Sequence, residues 1–513
     1  MVEEKRTIRL KVFRFNPVVD SEPRYETYET SWLPSLTVSM ALDQINRDHR
    51  ANIAFRKGCR EATCGACCIT VDGFPELACR GIVKDGDFID PIQGFEVIKD
   101  LVVDRTKSTS DAFRKIKYGR EGQPIGFVPA KAEEIEVSRK LTICIDCHGC
   151  NSICPPMLYT SEKFIGPMYM LNIVRSMFNP LEDYDRVTQA VDVGLYNCTL
   201  CRHCTIVCPK NIDVADGIIL ARRRAVEKGI ISDGVKEVFE NITKTDSFSG
   251  VSVDERASWA KGLNLPKKGD ILLFASCHYT ATEETRNILK VATVILQSLG
   301  LDVAYLHEEE PCCGAPLYLY GYEKEFGEKA RKTKETLDKQ GVDEILTLSP
   351  ICTYAFRELY PKYAKNFDLN VKTFIEVFAE KLKAGDVKLN SVGKKAVVYH
   401  DSSHLAKFLG IVDEPRQILG SIPGVKTVEP RYYHGINAIS DGYMAADKDV
   451  GLEIAKKRLE QLLDTGVNTV VTTGASDLEW LRKAAQSLGR KDVEVIDLIE
   501  LIGRSIKEVR QNF

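Results

Sequence analysis

Several protein classes require features that this sequence lacks. It has no block of basic residues, and its formal net charge is only -3, which argues against nucleic acid or a membrane surface as a partner. It has no run of about 18 apolar residues, as a membrane-spanning helix needs, and no glycine-rich dinucleotide fingerprint. The first residues, from Met1 to Arg6, lack the apolar stretch of a secretory signal. We therefore expect a cytoplasmic protein without a transmembrane segment.

Cysteine, in contrast, is plentiful. The chain has 17 cysteines among 513 residues, and most of them fall in groups with short, regular spacings. Such groups are typical of metal ligands in a reducing compartment rather than of disulfides. A chain of this length holds several domains.

Two runs share the pattern C-x2-C-x2-C-x3-C-P. They are Cys144, Cys147, Cys150 and Cys154 before Pro155, and Cys198, Cys201, Cys204 and Cys208 before Pro209. In bacterial ferredoxins three cysteines of such a run hold one [4Fe–4S] cluster and the fourth ligates the other. We therefore predict two clusters, one held by Cys144, Cys147, Cys150 and Cys208, the other by Cys154, Cys198, Cys201 and Cys204. Two zinc sites or buried cysteines are the alternative. We expect the intervening His148 and His203 to be solvent-facing or hydrogen-bonded loop residues.

The first hundred residues predict a β-rich domain with a different cysteine pattern. Alternating apolar residues from Ile8 to Val12 indicate a strand, 25–30 its hairpin partner, and 36–46 a short helix. The spacing of Cys59, Cys64, Cys67 and the later Cys79 is that of plant-type [2Fe–2S] ligands.

Glycines support this assignment. Gly58 and Gly65 allow the backbone to approach the cluster closely, and Asp72-Gly73 predicts a hairpin turn that returns Cys79 to the loop. Cys68 is left over, and we expect it to begin a strand as a core residue that points away from Cys67.

Residues 106–245 predict helices around the two four-cysteine runs, for example at 161–177 and 213–228. Residues 246–268 are rich in serine and predict a linker.

The remainder predicts an internal repeat of about 125 residues per copy. In the first copy, strands at 271–275, 303–306 and 344–348 lead to Cys277, to the pair Cys312 and Cys313, and to Cys352. Strands alternate with helices, so each copy should contain a parallel sheet whose carboxyl edge carries the site. The four cysteines predict a third cubane-type or unusual iron–sulfur cluster, with zinc as the alternative.

The second copy has no cysteine. Its strands at 396–399, 425–428 and 469–473 lead to Ser403, Tyr433, His434 and Asp477. We expect this copy to be structural. A different metal site is the alternative, formed by His400, Asp401, His404 and His434, but a satisfied loop network explains these residues more simply.

The N-terminal part resembles the iron–sulfur subunit of succinate dehydrogenases and fumarate reductases. The resemblance rests on the stretch from Phe55 to Cys67, on Leu195 to Cys198, and on Cys208-Pro209-Lys210. It implies a β-grasp domain, a helical ferredoxin domain, and a separate flavoprotein partner with covalent FAD that interconverts fumarate and succinate.

The sequence departs from that family at two places. Many members hold a three-iron cluster because they have no cysteine at the position of Cys201, which here predicts [4Fe–4S]. Quinone-reactive members carry a tryptophan pair where this chain has Met157, Leu158 and Tyr159, so the usual quinone site is not matched.

The C-terminal part resembles the cysteine-rich CCG domain of heterodisulfide reductases. Both parts occur together in the iron–sulfur subunits of thiol:fumarate reductases, which implies oxidation of coenzyme M and coenzyme B thiols. Where that family often has a fifth cysteine, this chain has Ala355.

Together these observations predict an α+β multidomain oxidoreductase subunit. The expected domains are a β-grasp [2Fe–2S] domain (1–105), a helical dicluster ferredoxin domain (106–245), a linker (246–268), and an intact and a degenerate CCG α/β repeat (269–390 and 391–513). Electrons would pass between the CCG centre, where a further redox partner could dock, and the partner's FAD. The alternatives are an electron-transfer subunit of a membrane quinone oxidoreductase, and a CCG half that serves as a zinc or structural docking module.

The ligand assignment makes a direct prediction. Cys201→Ser should convert or destroy the cluster shared with Cys154, Cys198 and Cys204, because it removes one thiolate, and should leave the [2Fe–2S] signal largely intact. Electron paramagnetic resonance of the reduced protein checks this. Loss of the [2Fe–2S] signal alone would contradict the assignment.

Overall fold

The computed structural model describes residues 6–116, 131–160, 162–179, 182, 184–440, 442 and 445–510. By internal contacts the chain divides into two compact units. The first holds most residues up to Ala221, and the second holds most residues from Arg222 onward. None of the helices in the described ranges combines the length and apolar character that crossing a bilayer requires.

The first unit begins with a five-stranded mixed sheet in the order β2-β1-β5-β3-β4. Its strands are β1 (Thr7–Arg14), β2 (Arg24–Ser31), β3 (Cys68–Val71), β4 (Phe74–Leu77) and β5 (Phe88–Asp90), and a separate hairpin follows, with β6 (Glu96–Lys99) and β7 (Val102–Asp104). On β1 the side chains of Ile8, Leu10 and Val12 are at most 1% exposed, because alternate residues of a strand face one side of the sheet. The predicted strand and its antiparallel partner are confirmed.

Helix α1 (Val38–Asp48) covers this sheet with the buried residues Val38, Ala41, Leu42 and Ile45. It begins two residues later than predicted because Thr37 caps it, accepting a hydrogen bond from the Met40 amide. The later helices of the unit are α2 (Thr106–Lys115), α3 (Ala132–Leu141), α4 (Pro155–Tyr159), α5 (Pro167–Met177), α6 (Arg186–Asp192), α7 (His203–Ile206) and α8 (Val214–Glu227).

Two predicted helices differ at their ends. The helix expected at 161–177 begins at Pro167, because Gly166 has φ 101° and Pro167 occupies the first turn. Residue 161 and residues 117–130, which the prediction also covered, lie outside the described residues. The helix expected at 213–228 is found at Val214–Glu227.

The second unit contains two four-stranded sheets in which every pairing is parallel. The first is β8 (Ile271–Phe274), β9 (Val303–Ala304), β10 (Glu344–Thr347) and β11 (Asn370–Thr373), in the order β11-β10-β8-β9. The second is β12 (Lys395–Tyr399), β13 (Val425–Val428), β14 (Thr469–Thr472) and β15 (Glu494–Asp497), in the order β13-β12-β14-β15. Each sheet places its strands in an α/β alternation, as the internal repeat predicts. The sequence did not predict β11 and β15, which are edge strands.

Helices flank these strands in the second unit. They are α9 (Asp233–Thr245), α10 (Val253–Ala257), α11 (Glu283–Ser298), α12 (Ala315–Tyr320), α13 (Glu323–Gln340), α14 (Pro350–Tyr354), α15 (Tyr360–Tyr363), α16 (Phe374–Ala384), α17 (Asp413–Ser421), α18 (Lys448–Leu463), α19 (Ala475–Ser487), α20 (Leu498–Ser505) and α21 (Lys507–Arg510). The segment expected as a linker contains α10 and the side chain of Trp259, which is 1% exposed and belongs to the hydrophobic core. Its serines are therefore part of a packed segment rather than of a flexible one.

A buried ion pair holds the loop after β12. The carboxylate of Asp401 accepts two hydrogen bonds of 2.8 Å from the Arg416 guanidinium and one of 2.7 Å from the Gly435 amide. Burial raises the pKa of Asp401, but the bonds and the charge of Arg416 outweigh burial and hold this pKa below its ordinary value. Arg416 also pairs with Glu429, whose side chain is 39% exposed against 1% for Asp401.

Removing the buried partner should therefore destabilise the second repeat. Asp401→Ala leaves a largely buried guanidinium and the Gly435 amide without their main acceptor, and we expect a loss of about 3 kcal/mol in the free energy of unfolding. The matched change Glu429→Ala should cost under about 1 kcal/mol, because the Glu429 carboxylate is 39% exposed and is hydrated when unpaired. Denaturant unfolding followed by circular dichroism measures both. Equal losses would show that burial does not set the strength of this pair.

Candidate iron–sulfur centres

The first cysteine group lies in the loop between α1 and β3. Cys59 and Cys64 are adjacent, since the Cys59 amide donates to the Cys64 sulfur at 3.4 Å. Cys67 interacts with both Cys64 and Cys79. All four predicted [2Fe–2S] ligands therefore meet at one place.

The backbone of this loop is shaped to receive negative charge. The amides of Glu61 and Thr63 donate to the Cys59 sulfur at 3.4 and 3.3 Å. Hydrogen bonds from the Thr63 side chain and from these two amides lower the pKa of Cys59 to about 6, whereas burial raises the pKa of Cys67 to about 11. Non-glycine residues with positive φ in the loop, Arg60 and Ala62, turn successive N–H groups inward, an arrangement that binds anions.

A tight hairpin supplies the fourth cysteine. Asp72 and Gly73 have φ 47° and 80°, which is the turn that joins β3 to β4 and confirms the prediction. The Ala78 amide then donates to the Cys67 carbonyl, which sets Cys79 beside Cys67.

The position before the first ligand, Gly58, has no room for a larger residue. A Cβ atom at this position would lie 2.7 Å from the Cys64 sulfur, far inside contact distance. The donors, the sulfurs and this gap fit an iron–sulfur group held by Cys59, Cys64, Cys67 and Cys79.

The predicted ligands of the first [4Fe–4S] cluster also converge. Cys144, Cys147, Cys150 and Cys208 line one small cavity, whose wall also includes Met168, Leu171 and Cys204, a predicted ligand of the other cluster. Burial raises the pKa of Cys144 to about 11 and raises that of Cys150 well above its ordinary value. Four sulfurs that share a buried cavity fit a cluster that neutralises their charge.

The second four-cysteine run has the same local backbone as the first. In the first run Asp146 and His148 have φ 50° and 64°, and in the second run the residues at the same two positions, Leu200 and Arg202, have φ 51° and 59°. The left-handed conformation is rare for such residues, so its recurrence between ligands indicates the same function for both runs. Whether Cys154, Cys198, Cys201 and Cys204 share one cluster stays a prediction.

The positions of two histidines and the contacts of Cys68 differ in part from the sequence prediction. His148 is 5% exposed and His203 is 1% exposed, so neither faces solvent. The ring of His148 packs against Phe95 and Tyr169 at centroid distances of 5.3 and 6.0 Å, because the left-handed backbone turns it into the domain. Cys68 begins β3 and is buried, as predicted, but its thiol interacts with Cys147, which the sequence did not indicate.

The CCG cysteines meet at the carboxyl edge of the first parallel sheet. Cys277 follows β8, Cys312 and Cys313 follow β9, and Cys352 lies in α14 after β10. The side chains of all four are at most 4% exposed. Cys312 interacts with Cys277 and Cys313, and Cys313 with Cys352, so the sulfurs form one connected group, as expected for ligands of a shared centre.

Neighbouring charges favour a thiolate in this group. Hydrogen bonds from Cys277 and Cys313 hold the pKa of Cys312 well below its ordinary value, and the charge of Lys329 and the Gly314 amide act in the same direction. The Asp246 carboxylate accepts from the Cys312 amide at 3.2 Å and pairs with Lys329. Sequence reasoning missed Asp246 because it lies in the segment assigned to a linker.

A buried carboxylate fixes the first CCG loop. Glu310 accepts from the amides of Ala275 and Ser276 at 2.8 and 3.1 Å, and so ties the residues before Cys277 to the loop that carries Cys312. No motif marks this glutamate, and its role follows only from the packing of the two loops.

In the second repeat, the positions that match the CCG cysteines lie in a network of hydrogen bonds. The Asp477 carboxylate lies 3.3 Å from Nε2 of His400, and the Arg458 guanidinium donates to Nδ1 of that ring at 2.9 Å. His404 stacks on Phe408 instead. Within the described residues, no group of three or more His, Cys, Asp or Glu side chains is spaced to hold a single metal ion, neither these residues nor the cysteine groups. The contacts of His400 with Asp477 and Arg458 and of Asp401 with Arg416 favour the satisfied loop network over the alternative site at His400, Asp401, His404 and His434.

Three family models match the chain. A 2Fe-2S iron-sulfur cluster binding domain covers residues 9–110, a 4Fe-4S dicluster domain covers 140–212, and a Cysteine-rich domain matches twice, at 271–357 and 397–476. The predicted [2Fe–2S], dicluster and duplicated CCG domains are confirmed.

Curated relatives match either nearly the whole chain or part of it. A fumarate reductase (CoM/CoB) subunit from Methanothermobacter marburgensis is 31% identical over 96% of this chain and 98% of its own. A dihydromethanophenazine:CoB–CoM heterodisulfide reductase subunit from Methanosarcina barkeri is 25% identical over 72% of this chain and 94% of its own. The fumarate reductase iron-sulfur subunit of Wolinella succinogenes is 29% identical over 43% of this chain and 98% of its own.

One solved structure shares the fold over almost the whole length. A hypothetical protein from Helicobacter pylori covers 99% of this chain and 97% of its own with a TM-score of 0.66, at 14% identity. At that identity the likeness concerns the fold alone.

The close approach at Gly58 yields a testable prediction. Gly58→Ala should reduce the [2Fe–2S] content by at least about half, because the added methyl group collides with the Cys64 sulfur. Gly420→Ala is the matched control, since a Cβ there meets nothing within 4 Å. Visible circular dichroism and iron content of both variants check the prediction. A Gly58→Ala protein with full [2Fe–2S] occupancy would contradict it.

Proposed function

The chain belongs to the family of the Methanothermobacter fumarate reductase (CoM/CoB) subunit, and we propose that it carries electrons from thiols to a flavoprotein partner that reduces fumarate. It is an iron–sulfur electron-transfer subunit related to fumarate reductase and heterodisulfide reductase subunits. The proposal adds the electron donor, the flavoprotein partner and the route of the electrons between them. It also assigns the N-terminal sheet and α1 to a β-grasp domain and places the chain in the cytoplasm.

The proposed reaction balances between two sites. Oxidation of two thiols, those of coenzyme M and coenzyme B, forms one disulfide and releases two electrons and two protons. Reduction of fumarate to succinate takes up two electrons and two protons. When bound, iron–sulfur clusters accept and donate single electrons, at potentials set by their ligands and surroundings. Fumarate reduction belongs to the FAD of the partner, because the sequence offers no flavin fingerprint or dicarboxylate site.

The observation that carries the thiol assignment is a cavity beside the CCG cysteines. A cavity of about 820 Å³ lies in the second unit, and His278, the residue after Cys277, forms part of its wall. The Ser249 hydroxyl, also on the wall, donates to the Cys277 carbonyl at 3.4 Å. This volume is typical of small-molecule sites. None of Cys277, Cys312, Cys313 and Cys352 lines the cavity, and its wall comes nearest to them in sequence at His278.

The wall suits a substrate with both apolar and charged parts. Phe248 and Trp480 supply apolar surface, Lys448 and Lys483 supply cationic groups, and the carboxylates of Glu237, Asp449 and Glu479 line the same wall. Each lysine pairs with a carboxylate, Glu237 at 3.0 Å and Glu479 at 2.5 Å. An anionic thiol could exchange with these exposed pairs at low cost, because surface ion pairs contribute little.

Filling the cavity tests the proposal. Val238→Trp places an indole into the cavity from α9 and should slow reduction of the clusters by coenzyme M plus coenzyme B at least about tenfold, because positioning of the thiols is lost. Reduction of the same clusters by dithionite should be unchanged, because the cluster ligands are untouched. Lys236→Trp is the matched control, as it lies on the same helix and does not line the cavity. Stopped-flow absorbance on the complex purified anaerobically with its flavoprotein measures all three proteins.

The result has two informative outcomes. Equal thiol reduction of Val238→Trp and wild type would remove the cavity from the substrate route. Failure of the wild-type complex to accept electrons from thiols, while it oxidises dithionite-reduced clusters with fumarate, would overturn the thiol donor and retain the flavoprotein partner.

A further inference from the structure

Cys68 has no ligand assignment but occupies a position between two predicted clusters. Its neighbour Cys67 is a predicted ligand of the [2Fe–2S] cluster. Cys68 itself is the first residue of β3 and is 5% exposed. Its sulfur and that of Cys147, a predicted ligand of the first [4Fe–4S] cluster, both lie close to Gly149, and the two thiols interact.

Two glycines permit this approach. A Cβ atom at Gly149 would lie 3.3 Å from the Cys68 sulfur and 3.7 Å from the Cys147 sulfur, so both sulfurs border the same point. A Cβ atom at Gly65 would lie 2.2 Å from the Ile145 carbonyl and 3.0 Å from the Cys147 amide nitrogen. The two cluster loops therefore pack directly on each other at the level of Cys68.

A buried cation lies at the same contact. Arg105 donates to the carbonyls of Gly65 and Ala66 at 3.4 and 3.3 Å, and its charge acts on Cys67, Cys68 and Cys147. Burial lowers the pKa of Arg105, but a guanidinium keeps its proton in proteins. Its positive charge is thus shared between the two cluster loops.

We propose that Cys68 and Arg105 form a polar bridge between the [2Fe–2S] cluster and the cluster at Cys147, and that this bridge raises the reduction potential of the latter. This inference rests on the proposed electron-transfer role and not on the identity of the donor or acceptor. With both clusters bound, the Cys68 thiol would act on the Cys147 cluster, whereas the charge of Arg105 would act on ligands of both clusters. The two together would favour the Cys147 cluster as the place where an electron resides.

The physical reason is the extra negative charge of a reduced cluster. A thiol that donates to a ligand sulfur and a nearby cation both stabilise the more negative state, so both raise the potential. The path from Cys67 through one peptide bond to the Cys68 side chain also gives a short covalent route from one ligand to the hydrogen bond on the other.

Redox titration of the full-length protein, anaerobic and with its clusters loaded, tests the bridge. In Cys68→Ala the ratio of reduced to oxidised Cys147 cluster at a fixed potential should fall about fivefold, the size of a net hydrogen bond, or about 40 mV for one electron. Cys68→Ser keeps a donor and should restore at least part of this ratio. Thr70→Val, on the same strand and also buried, should leave every potential unchanged.

Substitutions of Arg105 provide a second, independent test of the bridge. Arg105→Gln should lower the potential of the Cys147 cluster, and Arg105→Lys, which keeps the charge, should lower it less. Unchanged potentials in Cys68→Ala and Arg105→Gln would overturn the bridge. Loss of about four iron atoms in Cys68→Ala would also overturn it, because Cys68 would then be a ligand. These potentials are read with mediators and dithionite, so they do not depend on thiol or fumarate turnover.

Discussion

The structure depends on compensating the negative charge of thiolates gathered in buried places. Backbone N–H groups contribute to this compensation together with side chains. In the [2Fe–2S] loop the amides of Glu61 and Thr63 point at Cys59, and in the CCG loop the Gly314 amide points at Cys312. The four-cysteine runs repeat a left-handed backbone at matching positions, which is the local geometry that turns N–H groups toward an anion.

Charged side chains add to this where the sulfurs are most buried. Lys329 stands beside Cys312, and Arg105 stands beside Cys67 and Cys147. These cations are held by backbone carbonyls or by a carboxylate, so their positions are fixed by the fold. The second CCG repeat shows the converse case: without cysteines, its loops carry pairs such as Arg416 with Asp401 and Arg458 with His400, and hydrogen bonding replaces metal ligation.

Much of this arrangement could be predicted because cysteine spacing is a local property of the sequence. The cysteine groups, the Asp72-Gly73 turn and three of the four strands in each repeat follow from short-range patterns. The edge strands β11 and β15 were missed because each has only four residues, of which at most two are apolar. The roles of Asp246, Glu310 and Arg105 could not be predicted, since each acts on a cysteine loop from a distant segment of the chain. The burial of Trp259 could not be predicted either, because core packing, and not local composition, orders the segment around it.

Iron, sulfide and zinc analysis of the anaerobically purified full-length protein, combined with electron paramagnetic resonance, tests the central claim most directly. One [2Fe–2S] and three [4Fe–4S] clusters predict about 14 iron atoms per chain. About 10 iron atoms with one zinc would contradict the iron assignment at Cys277, Cys312, Cys313 and Cys352. A folded protein free of iron would contradict the account as a whole.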